Sequence, residues 1–161
     1  MGNERELKVI AFDLDYTLWP FRVDKESNPP FFQENGKVKD TKGKEYTLYP
    51  EVHQVLGKLF LEGYTLGVAS RIENIEAADQ LMKYFNLKNY FSYIFVYPGT
   101  KTNHFKDLRM HTGVEFKDMM FFDDDRRNIR DISRLGVMSV QVESGITLEL
   151  LLKSIQEFMT Q

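Results

Sequence analysis

Lys8-Val9-Ile10-Ala11-Phe12-Asp13-Leu14-Asp15-Tyr16-Thr17-Leu18-Trp19 is the stretch on which the fold turns. Val9 to Phe12 is short, apolar and rich in β-branched and aromatic side chains, the pattern of a buried strand. It ends abruptly in two carboxylates for which core packing has no use. On an extended chain, residues i and i+2 point the same way, so Asp13 and Asp15 would flank one point; a turn after Asp13 would instead swing Asp15 over it. Two acids held that close repel unless a cation sits between them. At the carboxyl end of a strand in an open α/β sheet, where ligands bind, the pair reads as a metal-assisted site. The competing reading is a solvated acidic loop with a helix cap.

Downstream, residues 20–49 form a polar, turn-rich insert. Asn35-Gly36 between Phe31-Phe32-Gln33 and Lys37-Val38-Lys39 signals a hairpin, and Glu45 to Tyr49 suits a further strand. The insert is expected to be a small flap beside Asp13. Pro50 then opens a helix whose apolar stripe is Val52, Val55, Leu56, Leu59 and Phe60, stopped at Gly63. Tyr64 to Ala69 is a strand ending in Ser70-Arg71. A helix over 74–85 presents Ile75, Ala78, Leu81, Met82 and Phe85. The strand Tyr93 to Tyr97 runs into Pro98-Gly99-Thr100-Lys101, and Thr102 is expected to cap the helix that follows. Met119 to Phe122 is a strand ending in Asp123-Asp124-Asp125. A short helix, the strand Val137 to Val142 and a last helix capped by Thr147 complete the chain.

Strand and helix therefore alternate five times. That predicts an α/β fold: a doubly wound, mainly parallel five-stranded sheet with helices on both faces, plus the small hairpin flap and no large cap. At 161 residues the chain is expected to be one domain, 1–161, with 20–49 as an insert within it. The topology brings Asp13, Asp15, Ser70, Lys101, Asp123 and Asp124 to one edge of the sheet.

Composition excludes several functions. A net charge of -3 and no basic run give no footprint for nucleic acid, and no run of eighteen apolar residues marks a membrane span. The segment Met1 to Glu6 is polar and charged, unlike a signal peptide. Without cysteine there is no disulfide, thiolate-bound zinc or cysteine nucleophile. A cytoplasmic protein is expected, with a nuclear one also compatible.

Oxygen ligands without His or Cys suit a hard cation such as Mg²⁺. A lysine and a serine beside it suit phosphate oxygens. One carboxylate can attack phosphorus as a nucleophile, and a second can protonate the leaving alkoxide and then activate water. His53, His104 and His111 fall on three expected helices at no ligand spacing and read as structural or exposed. Asp125 and Asp131 read as solvated or helix N-terminal acids. Trp19, Phe21, Phe31 and Phe32 either line a substrate mouth or form the core of the flap.

Asp13-Leu14-Asp15-Tyr16-Thr17 after an apolar strand resembles the first motif, Asp-x-Asp-x-Thr/Val, of the haloacid dehalogenase superfamily. Ser70, Lys101 and Asp123-Asp124 fall in the order of its other three motifs. Phe12 to Phe21, Tyr49-Pro50-Glu51-Val52, Ala69-Ser70-Arg71, Tyr97-Pro98-Gly99 and Phe121 to Asp124 are similar to the eukaryotic magnesium-dependent phosphatase subfamily. The resemblance implies a haloacid-dehalogenase-like Rossmannoid fold and a Mg²⁺-dependent phosphomonoesterase with an aspartyl-phosphate intermediate. It implies Asp13 as nucleophile and metal ligand, and Asp15 as general acid/base with its backbone carbonyl on the metal. Ser70, Lys101 and the amides of Leu14 and Asp15 would bind the phosphoryl group, and Arg71 would contact substrate. Thr17 would hold the loop. Asp124 would be the other direct metal ligand, with Asp123 supporting it. The implied partner is a phosphomonoester, on a phosphotyrosine protein or an aryl group; a sugar phosphate of the fructosamine-6-phosphate type is the alternative. A receiver-like phospho-aspartate module would share most of these groups, but it carries its nucleophile on the third strand and its acidic pair first. Here the order is reversed.

Overall fold

Strand β1 (Val9–Phe12) is buried along its whole length in the computed structural model of the chain, which describes residues 5–161. Residues 1–4 of the polar opening segment lie outside the described residues. β1 lies between β5 (Thr65–Ser70) and β7 (Met119–Asp123), parallel to both, with Val9 opposite Thr65 on one side and Met119 on the other. Outside these come β6 (Tyr93–Val96) and β8 (Met138–Gln141), giving the order β6-β5-β1-β7-β8 with every pairing parallel. No helix among the described residues is long and apolar enough to cross a membrane.

Alternation along β1 feeds two cores. Ile10 and Phe12 face the larger one, with Val52, Val55, Leu56 and Leu59 of α2 (Val52–Leu61), Leu81 and Met82 of α3 (Ile75–Tyr84) and Leu151 and Phe158 of α6 (Leu148–Met159). Val9 and Ala11 face the other, with Phe105 and Leu108 of α4 (Lys101–Thr112) and Ile132 of α5 (Arg126–Ser133). Helices on both faces and polar strand tips at one edge are the arrangement the sequence predicts.

Three local expectations change. Phe60 and Ile75, assigned to apolar faces, are 52% and 49% exposed. The α2 stripe is centred on Val52, Val55, Leu56 and Leu59, so Phe60 falls at its rim and instead meets Tyr90 edge-on. Helix α4 begins at Lys101 with Thr100 at its N-cap, so Thr102 lies inside the helix and is not its cap.

The insert holds a short helix, α1 (Val23–Glu26), then an antiparallel sheet of β2 (Phe32–Glu34), β3 (Lys37–Lys39) and β4 (Glu45–Tyr46). Asn35 and Gly36 turn the hairpin with φ of 52° and 76°, as a two-residue turn with both residues left-handed requires. Asp40 ties the insert together: its carboxylate accepts from the amides of Asn28, Lys42 and Lys44 and, at 2.6 Å, from the Tyr46 hydroxyl. Phe21, Phe31 and Tyr46 form an aromatic cluster that joins the main core through Trp19. Trp19, Phe21 and Phe31 are therefore core residues rather than mouth residues, and Phe32 alone of the four is exposed. The sheet of the insert leans on α3, where Gln80 accepts from the Phe31 amide. The part of the insert that borders Asp13 is α1 and its flanks.

Candidate active site

The ladder of β1 extends one residue past the strand, through Asp13 N to the Phe122 carbonyl. The chain then turns: the Leu14 carbonyl accepts from the amides of Thr17 and Leu18, and Tyr16 adopts a left-handed φ of 57°. Of the two geometries the sequence left open, the turn is the one adopted. Two outside contacts clamp it, Tyr49 N to the Leu18 carbonyl and Ile146 N to the Thr17 carbonyl. The amides of Leu14 and Asp15 have no acceptor among the described residues, although the Leu14 side chain is core.

Lys101, 2% exposed at the start of α4, places Nζ 2.7 Å from Asp13 Oδ1 and 2.7 Å from Asp123 Oδ2. Asp123 is fully engaged: Oδ2 also accepts from Asn128 Nδ2, and Oδ1 from the Asp125 amide. The donor that Asp13 Oδ2 meets is the Thr17 hydroxyl, at 3.5 Å. Burial pushes the Asp13 carboxyl up to about 7 against the pull of Lys101. Burial, then the neighbouring Asp13, pushes Asp123 up to about 6. The half-buried Asp124 is also raised, chiefly by burial. For Lys101, burial opposes the charge, but Asp13 and Asp123 outweigh it and raise its pKa.

Asp13, Asp123 and Asp124 each present an oxygen, all within 4.8 Å of one another. Three acids around one ammonium leave negative charge in a place where burial penalises it, and an all-oxygen set suits a hard divalent cation. The donor set therefore fits Mg²⁺. The Asp15 carboxylate stands apart from this group. Its Oδ1 accepts from Trp19 Nε1 at 2.8 Å and from the Val23 amide at 3.3 Å, and burial pushes the group up to about 6. The Asp15 carbonyl accepts no hydrogen bond among the described residues, so it is free to face a cation.

Ser70 is buried, and its Oγ accepts from the Ile72 amide; the hydroxyl proton has no acceptor among the described residues. Arg71 is exposed and lines the same cleft, an opening of ≈ 600 Å³ floored by Asp13, Asp15, Ser70, Lys101 and Asp124. The structure thus brings together all the predicted site residues.

Sequence reasoning did not assign five contributors. Asn128 holds Asp123, and its only signal was a place in the first turn of the helix that follows the acidic pair. The buried His104, read as structural or exposed, donates from Nε2 to the carbonyls of Ser70, at 2.8 Å, and Tyr97. It sits three residues after Lys101, on the same side of α4. Trp19 orients Asp15. Arg22, at the N-cap of the four-residue α1, and Lys25, within it, form one wall of the cleft; nothing so short has a periodicity to read.

The Acid Phosphatase family model matches residues 6–161. Human magnesium-dependent phosphatase 1 is 45% identical over 152 residues, 94% of this chain and 86% of that protein. Among solved structures, the N-terminal part of a Bacteroides fragilis protein, containing a phosphatase domain complexed with Mg, gives a TM-score of 0.69. It is 15% identical, over 93% of this chain and 40% of that one. A haloacid dehalogenase family enzyme from Bacteroides thetaiotaomicron, complexed with magnesium and inorganic phosphate, gives 0.66 at 15% identity, over 91% of this chain and 98% of that one.

Proposed function

We propose that this chain, which belongs to the acid phosphatase family and is a magnesium-dependent phosphatase of the haloacid dehalogenase superfamily, hydrolyses phosphomonoesters through an aspartyl-phosphate on Asp13. The observation that carries this reading is the state of the Asp13 carboxylate. Lys101 holds Oδ1 at 2.7 Å, while the Thr17 hydroxyl meets Oδ2 at a long 3.5 Å and the Asp124 carboxyl lies within hydrogen-bonding reach of the group. One oxygen is fixed and the other is available to attack.

Asp13 Oδ2 attacks phosphorus in line, and the bond from phosphorus to the leaving oxygen breaks. Asp15, gripped at Oδ1 by Trp19 and Val23, gives its proton from Oδ2 to that oxygen. It then takes a proton from water as the water attacks phosphorus, which releases inorganic phosphate and regenerates the Asp13 carboxylate. The Ser70 hydroxyl, Lys101 and the amides of Leu14 and Asp15 hold the phosphoryl oxygens. Asp13, Asp124 and the Asp15 carbonyl would hold Mg²⁺, which when bound neutralises the charge between the nucleophile and the phosphate dianion. Asp123 keeps Lys101 and Asn128 in place.

The cleft is open and no cap stands over it among the described residues, so a phosphotyrosine on a protein surface is an admissible substrate, as is an aryl phosphate. A sugar phosphate is favoured by one specific observation: Trp19 and Phe21 lie in the core, which leaves Tyr16 as the aromatic ring lining the cleft. Rapid quenching with labelled phosphomonoester tests the mechanism. Wild-type protein should carry a hydroxylamine-labile label that Asp13→Asn lacks, and that variant should be inactive. Retention of about a tenth or more of the activity by Asp13→Asn would rule out the carboxylate nucleophile.

A further inference from the structure

The rim of the cleft is net positive, with four cations against two acids. Arg22, Lys25, Arg71 and Arg127 line the opening from both sides, all exposed. None forms an ion pair within 4.0 Å among the described residues; the Arg22 guanidinium lies over the Tyr16 ring, 5.6 Å from its centre, and its charge also lowers the pKa of the exposed Glu26. The rim also carries two acids, Asp24 and Asp125. Both are already engaged by backbone. The Asp24 oxygens accept from the amides of Glu73 and Asn74, which bolts α1 to the start of α3. Asp125 caps α5 through the Arg127 amide. A carboxylate hydrogen-bonded at a helix N-terminus is offset there by the amides and the dipole. The floor of the site already has Lys101 and a Mg²⁺-fitting acidic group for the transferred phosphate. On the rim the cations outnumber the acids four to two, and none of the four is held in a close ion pair.

We propose that the substrates of this enzyme carry a second anionic group on the leaving-group side, which the rim cations Arg22, Lys25, Arg71 and Arg127 bind while the transferred phosphate sits on the floor. The chemical class is a phosphomonoester bearing a carboxylate or a further phosphate. This rests on the phosphatase reading above and narrows it. An exposed charge contact of this kind is worth about two- to fivefold in binding, so two engaged cations give roughly tenfold. Such a preference is screened by salt.

The test uses two matched pairs of substrates in Mg²⁺. One pair is 4-(carboxymethyl)phenyl phosphate and its neutral amide, which differ in charge but little in leaving-group basicity. The other is a phosphotyrosine peptide flanked by Glu and the same peptide flanked by Gln. The first pair reports an anion on the leaving group itself, and the second an anion on neighbouring residues of a protein. The expected result is a kcat/KM ratio, charged over neutral, of about ten in at least one pair at low ionic strength. That ratio should fall toward one in about 0.5 M salt and in the double variant Lys25→Gln/Arg127→Gln. Both side chains are exposed, and a thermal melt checks that the variant folds. Ratios at or below one in both pairs would overturn the proposal, as would a ratio that the double variant leaves intact. If the neutral substrates turn over while the ratios are one, only this inference fails; if none of the four turns over, and neither does a sugar phosphate assayed beside them, the phosphatase reading itself fails.

Discussion

Replacing Trp19 by Phe separates the orientation of Asp15 from the rest of the chemistry. The indole donates to Asp15 Oδ1 at 2.8 Å, and the other hold on that oxygen, from the Val23 amide, is longer at 3.3 Å. A hydrogen bond to a charged acceptor contributes roughly 1.5–3 kcal/mol. The smaller ring leaves roughly 40 Å³ unfilled in the core, which at about 24 cal/mol per Å³ costs about 1 kcal/mol. Unfolding free energy should therefore fall by about 2–4 kcal/mol, a loss that a protein holding 5 kcal/mol or more, roughly, survives. The kinetic consequence depends on the leaving group. An alkoxide needs a proton as it departs, a nitrophenolate does not, and general acid catalysis is worth about 10²–10⁴-fold. Trp19→Phe should lose roughly ten- to a hundredfold in kcat on an alkyl phosphate and less than about threefold on nitrophenyl phosphate. Urea melts give the first quantity and steady-state kinetics on both substrates the second. Equal losses on the two substrates, in protein that still melts cooperatively, would refute the role given to the indole.

Lys101→Met leaves Asp13 and Asp123 buried without their shared ammonium; stability should drop by about 3–5 kcal/mol in urea melts and turnover should vanish. Chelation should stop turnover and Mg²⁺ restore it, with Ca²⁺ restoring little because its larger, looser shell misplaces the attack. Asp124→Ala should raise the Mg²⁺ concentration for half-maximal turnover by roughly 10–100-fold, whereas Asp123→Ala, which strands Lys101 and Asn128, should show first as a lowered melting temperature. Asp40 sets an acid limit. Burial pushes its carboxyl up, but the Tyr46 hydroxyl and the amides of Lys42, Lys44 and Asn28 outweigh that and hold it at about 2, against 3.8 for the free group. Its contribution is therefore complete above pH 3.8 and is lost as the pH falls toward 2. After discounting for screening it amounts to about 1–2 kcal/mol. The stability gap between wild type and Asp40→Asn should close over that interval, and a gap that stayed constant would contradict the assignment.

The sheet was legible because five apolar runs alternate with five amphipathic stretches, and that alternation fixes which ends of the strands meet. Asp13, Ser70, Lys101 and Asp123 converge for topological reasons, and the topology is written in periodicity. What the sequence hid depends on tertiary contact. Trp19-Pro20-Phe21 has the same composition whether it lines a mouth or fills a core; a hydrogen bond to Asp15 and packing under Tyr46 decide it. Thr100 and Thr102 are equally good caps by residue type, and the choice of Thr100 has no local signal. His104 and Asn128 act on groups far away or around a turn, so no local pattern marks them.

Strand β1 reaches its second neighbour late. Val9 pairs with Thr65 and with Met119, and Asp13 meets Lys101 and Asp123 only across those same neighbours. During synthesis at about 5–20 residues per second, β5 is made in time to cover one edge of β1, and the other edge waits roughly 5–20 s for β7. Until then that edge is a template for any other nascent strand. A ribosome stalled before residue 119 would hold a chain with a nucleophile but no site. Because the strand that carries the chemistry is made before both of its neighbours and is enclosed only when β7 arrives, yield in the cell should be governed by chaperone access to the segment from β1 to β7 rather than by the stability of the finished fold.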